Sequence, residues 1–188
     1  MAHARRALLE GGGVLACLLA SGCGGVLDGS DAGDAGRSAP ETGAACNALV
    51  NHAPVLALSL VSSDPPAGHG GTIVDGTYTM ESAAYYTGAG GASGPSGTTS
   101  QVTIEVVKGT VQVASTSDGA GSGAMPPTHL TVTISTNGSD LTYEDTCPAS
   151  ATLHGSYTAT PTSLTVMLPA QVGSSGSDRT LVETFARQ

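Results

Sequence analysis

The side chains able to do chemistry are few, and their spacing decides what chemistry is open to them. His52, His69, His129 and His154 lie far apart along the chain. A zinc site needs three or four such ligands to converge, and none of these shows ligand spacing, so no metal is expected. His69, between Gly68 and Gly70, reads as a loop histidine. Glu144 and Asp145 are adjacent, so in a strand they take opposite faces and cannot work as a paired acid and base. Asp145 alternates with Leu141, Tyr143 and Cys147, a pattern that turns its carboxyl inward; a strand-end position near solvent is the preferred reading. No Ser-centred nucleophile elbow, phosphate-binding Walker loop, HExxH or CxxC occurs. The expectation is a chain with no catalytic residue and no cofactor. Tyr85 and Tyr86 are kept as candidate ligand-binding residues at the mouth of a β structure, against a plain strand-end packing pair.

The cysteines carry more information. Residues 1–22 begin with Arg5 and Arg6, continue through an apolar stretch and end in small residues, the pattern of an export signal. The run Leu18-Leu19-Ala20-Ser21-Gly22-Cys23 resembles the lipobox of bacterial lipoproteins. The resemblance implies cleavage before Cys23, acylation of its thiol and of the new amino terminus, and anchoring in a membrane. Each buried methylene contributes about 0.8 kcal/mol, so two or three acyl chains hold firmly. Gly24 rather than aspartate follows the cysteine, which by the same resemblance implies the outer membrane. Cys17 leaves with the signal. Cys46 and Cys147 remain as an even pair in an exported chain, and a disulfide between them is expected.

Residues 23–45 are rich in Gly, Ala, Asp and Ser and offer little to bury, which predicts a flexible acidic tether. Asp28, Asp31 and Asp34 recur every third residue, but a calcium loop needs carboxylates at alternate positions with a closing glutamate. A solvated linker is the simpler reading.

Charge excludes other partners. The chain of 188 residues carries −9, and loss of residues 1–22, with Arg5, Arg6 and Glu10, leaves −10. Arg37, Lys108, Arg179 and Arg187 are then the basic residues, too few for a phosphate-tracking patch. Nucleic acid is not an expected partner, and electrostatic docking on anionic lipid is disfavoured. Charged residues make up 11%, well below the roughly 25% of ordinary soluble domains, so polarity comes from Thr, Ser and Gly, as in secreted β proteins. With one Phe and no Trp, the core must come from Val, Leu, Ile, Ala and Tyr.

The β domain is expected over 46–188. Period-two segments begin with Val55–Val61 and continue with Gly76–Tyr86, Ser100–Val107, Thr110–Ser117, Thr128–Thr136, Asp140–Cys147, Ala151–Ala159, Ser163–Leu168 and Thr180–Arg187. Lys108-Gly109, Asn137-Gly138 and Thr160-Pro161-Thr162 mark tight turns, which predicts an antiparallel meander. Gly88–Thr99 and Asp118–Pro127 read as loops. The eight segments from Gly76 onward, as up-and-down strands, suit a small closed barrel; an open β-sandwich uses the same strands in two sheets.

Gly70-Gly71-Thr72-Ile73-Val74-Asp75-Gly76-Thr77-Tyr78, Gly155-Ser156-Tyr157-Thr158-Ala159-Thr160 and Glu183-Thr184-Phe185 resemble recurring elements of uncharacterised bacterial lipoproteins with lipocalin-like domains. That resemblance implies a lipocalin-like barrel and carries no activity. The expected function is a lipid-anchored envelope lipoprotein making a structural or protein-binding contact. The alternative is a lipocalin-like binder of a small apolar or amphipathic ligand. An internal cavity of roughly 300–1,000 Å³ would mark the second.

Overall fold

A computed structural model describes residues 46–119, 123–124, 126–172 and 177–188. The expected signal peptide, Cys23 and the tether lie outside the described residues. Every regular element among the described residues is a strand: β1 (Leu56–Val61), β2 (Gly76–Tyr86), β3 (Gly94–Val107), β4 (Thr110–Gly119), β5 (Gly123–Ala124), β6 (Thr128–Asn137), β7 (Asp140–Cys147), β8 (Ala151–Ala159), β9 (Ser163–Val172) and β10 (Ser177–Arg187). The chain is all-β, as its alternating pattern and poor helix formers require.

Antiparallel ladders join β2 to β3, β3 to β4, β4 to β6, β6 to β7, β7 to β8, β8 to β9, β9 to β10 and β10 back to β2. The sheet therefore returns to its starting strand as a ring. β5 is a short addition along β4.

β1 departs from the expected meander. It pairs parallel with β2 over Ser59–Val61 and antiparallel with β3 over Leu56–Leu60. β2 and β3 touch directly only between Gly76–Thr79 and Thr103–Val106, and β1 fills the space where they diverge. This wedge also corrects the expected loop over Gly88–Thr99. Gly94 and Pro95 pair with Leu60 and Ser59, so a Gly- and Pro-containing stretch becomes the start of β3 because a partner strand is at hand. Asp118 and Gly119 likewise extend β4 and pair with β5 rather than forming a loop.

The residues expected to face inward do so. Val102, Ile104, Val106, Val111, Val113, Leu130, Val132, Leu141, Tyr143 and Leu164 join one buried cluster, with Ile134 and Val166 half-buried against it. A bulge on β2 at Glu81, opposite Thr184/Phe185, resets the alternation. Tyr78 and Met80 point inward before it, Ala83 and Tyr85 after it. The Lys108-Gly109 turn has both residues at positive φ, as a tight hairpin needs. In the next hairpin Asn137 still pairs with Asp140, so the turn centres on Gly138 and Ser139, one residue later than read.

Two non-strand segments strap opposite outer faces of the ring. The first, residues 46–55, crosses β6, β4 and β3. The Cys46–Cys147 disulfide fixes its start, with Cα atoms 5.6 Å apart. The Thr131 hydroxyl donates to the Cys46 carbonyl, and the Asn47 amide donates to the carbonyls of Val113 and Leu130. Thr103, fully buried on the outward face, accepts from the backbone amides of His52 and Ala53 and donates to Asn51.

The second strap, residues 62–75, runs from β1 to β2 and meets β8. The Gly70 amide donates to the Tyr157 carbonyl and the Ala159 amide to the Gly70 carbonyl, both at 2.8 Å. The Tyr157 hydroxyl donates to the Gly71 carbonyl at 2.8 Å. Gly71 sits at φ +117°, and a Cβ there would collide with the Ala159 carbonyl. Gly71→Ala is expected to cost about 2 kcal/mol or more in urea unfolding. Gly90→Ala is the control: Gly90 is also left-handed, at φ +77°, but has open space around it. Equal costs for the two would mean the strap is not held against β8.

Candidate functional site

The expected chemistry-bearing residues scatter over the surface. The His129 ring meets the Asn47 amide oxygen beneath the first strap, while His52 and His69 are held through their backbone amides to Thr103 and Thr158. His154 lies on β8 against the Thr142 hydroxyl. Among the described residues no three His, Cys, Asp or Glu side chains gather where they could hold a metal.

The interior is different. Asp145 is 3% exposed and Glu183 8% exposed, both on inward-facing positions of the ring. The solvent-side reading of Asp145 is therefore overturned. β7 does not end there: Asp145 pairs with Val132 on one side and Ala151 on the other, so neighbouring strands cover it. Thr146 forms a bulge, after which Cys147 pairs with Thr131 and takes the outer face toward Cys46. Cys147 thus leaves the face that Leu141, Tyr143 and Asp145 share.

Glu183 is a site residue that sequence reasoning misses. The signal that could find it is parity, since it shares its strand face with Leu181 and Phe185, both packed with the core. Burial pushes its carboxyl up to about 7, and burial also raises Asp145. The Tyr143 phenol is pushed up by burial, then by Asp145 and Glu183. The Tyr85 phenol is raised by burial and by Glu183, with Arg179 opposing. Among the described residues, one Asp145 oxygen, Oδ1, and the Arg179 Nε find no hydrogen-bond partner. Asp145 and Arg179 lie at the end of the ring where β8 and β9 are not joined, since that ladder covers only Ser156–Ala159 and Asp145 pairs with Ala151 and Arg179 with Ala170.

Glu183 and Tyr143 border an internal cavity of about 50 Å³, otherwise lined by Phe185 and aliphatic residues such as Val113, Leu141, Val166 and Leu168. Such a volume admits water but falls far short of the roughly 300 Å³ that a drug-sized ligand needs.

Tyr85 and Tyr86 do not act as a pair. Tyr85 points into the core, and Tyr86, its neighbour, faces outward into a second space. That space is an open cleft of about 480 Å³ between the outer faces of β1, β2, β8, β9 and β10 and the second strap. Ala84, Met167 and Val182 supply its apolar floor, Pro66 and Ala67 its wall. Ser59, Ser82, Thr158, Thr165, Thr184 and His69 add polar groups. Sequence reading has no access to this cleft, because its walls come from segments far apart along the chain.

No protein-family model, curated protein or solved structure matches the chain.

Proposed function

We propose that this chain is an envelope lipoprotein, anchored through an acylated Cys23, whose ring is a closed lipocalin-like barrel serving as a structural or protein-binding module without catalysis. The Cys46–Cys147 disulfide is the observation that carries the reading. Such bonds persist in oxidising compartments, so it supports export, and it lies directly after the segment read as a tether. The nearly filled interior favours this reading over an internal ligand binder, since about 50 Å³ leaves no space for one. Buried acids without a substrate-sized cavity favour a non-enzymatic role.

Intact-mass analysis of the protein extracted from membranes is the test. The expected species starts at Cys23, carries a diacylglycerol thioether, and is two hydrogens lighter than the form with Cys46 and Cys147 as thiols. An unmodified chain, or one starting elsewhere, would overturn the anchor.

A further inference from the structure

From the cleft outside the ring, we infer that its lining is a binding site for a neutral saccharide of one or two sugar units, placed against Tyr86. This goes beyond the anchoring reading and does not depend on it. The cleft, at about 480 Å³, is of ligand size where the interior is not.

Its walls are built rather than incidental. The second strap is tied to β8 by a backbone bridge at Gly70 and by the Tyr157 hydroxyl, and to the turn after β2 by the Gly88 amide, which donates to the Ser63 carbonyl. The floor is continuous sheet, since β2, β10 and β9 are laddered side by side.

The lining selects the ligand. Among the described residues no carboxylate, lysine or arginine borders the cleft, so a charged ligand finds no fixed counter-charge there. An extended peptide would need a free strand edge for its main chain, and this floor has its backbone groups already paired. An acyl chain would match Ala84, Met167 and Val182 but leave the polar rim unused. Ser59, Ser82, Tyr86 and the His69 ring make no side-chain hydrogen bond to other described residues and are open to a ligand. A sugar ring has an apolar C–H face for the floor and for Tyr86, and hydroxyls for that rim.

The methionine methyls provide the readout. Met167 borders the cleft, whereas Met80 is fully buried in the core. The full-length protein, labelled with ¹³C at its methionine methyls and held in an amine-oxide detergent free of sugar, is titrated with N,N′-diacetylchitobiose and with maltotriose. The expected result is a saturable shift of the Met167 methyl with at least one sugar, at millimolar affinity, and a steady Met80 signal. Tyr86→Ala should weaken that affinity about tenfold while leaving the Met80 signal in place, which shows that the variant is folded. Ala84→Gln, which fills the cleft floor without touching the core, should also abolish the shift. Silence of Met167 toward both sugars overturns the inference. So does a shift produced by a fatty alcohol but not by sugars, or a shift that follows protein concentration alone, which would assign the cleft to lipid or to a second copy.

Discussion

Cys147→Ser lowers the midpoint of thermal unfolding by about 12 °C. The disulfide spans 101 residues of sequence, and the chain-entropy relation for a loop of that size gives about 4.7 kcal/mol. Native crosslinks in small exported domains deliver about 2–5 kcal/mol, and about 4 kcal/mol corresponds to a shift of that size for a domain of this length. More than loop entropy is lost. Cys46 starts the strap that covers Thr103 and delivers Asn47 to the carbonyls of β4 and β6, so release of the bond frees the strap to leave. Calorimetry on the oxidised protein, the reduced protein and the variant tests this. Reductant should move the wild type to the variant's midpoint and should leave the variant unmoved; a midpoint indifferent to both changes would sink the argument.

Glu183→Gln flattens the pH dependence of stability and makes the protein more stable at pH 8 than the wild type. Burial raises the Glu183 carboxyl in the folded state from 4.5 to about 7. A folded-state value above the unfolded one means that the favourable condition lies at low pH. The wild type holds its full contribution below about pH 4.5 and loses it as the pH climbs through 7. The difference of two and a half units corresponds to about 3 kcal/mol. Asp145, raised in the same direction by burial, adds to the loss with the same sign and remains in the variant. Urea unfolding at pH 4.5, 6 and 8 measures both proteins. The gap between variant and wild type should open in favour of the variant as pH rises; a gap that stays constant would show that Glu183 is solvated in the folded protein.

Much of the ring is legible in the sequence because turns and alternation are local. β2, β7 and β8 run between the residues read from the sequence, bounded by Gly76, Asp140 and Ala151 at their starts. The disulfide is legible by counting the cysteines left once Cys17 and Cys23 are assigned to the expected export signal and anchor. What escapes is non-local. Pro95 and Gly94 join a strand only because β1 arrives beside them, and nothing within that stretch announces it. The cleft is assembled from five strands and a strap, so Tyr86 can be seen as an aromatic but not as part of a wall. Glu183 is the instructive case: its place between Leu181 and Phe185 marks it as inward, but a lone carboxylate in an alternating strand is read as outward unless parity is followed through. Alternation puts Asp145 on the correct face, and only the habit of treating strand ends as exposed moves it to solvent.

The first strap also sets how the molecule bears tension. A pull between the residues preceding Cys46 and the C-terminus enters β7 directly through the sulfur bridge at Cys147. β1 to β7 lie within the bridged loop and stay slack, so only residues 147–188 are available to extend. The outward stagger of Cys147, caused by one bulge at Thr146, makes the crosslink a mechanical bypass that shields more than half of the ring from load.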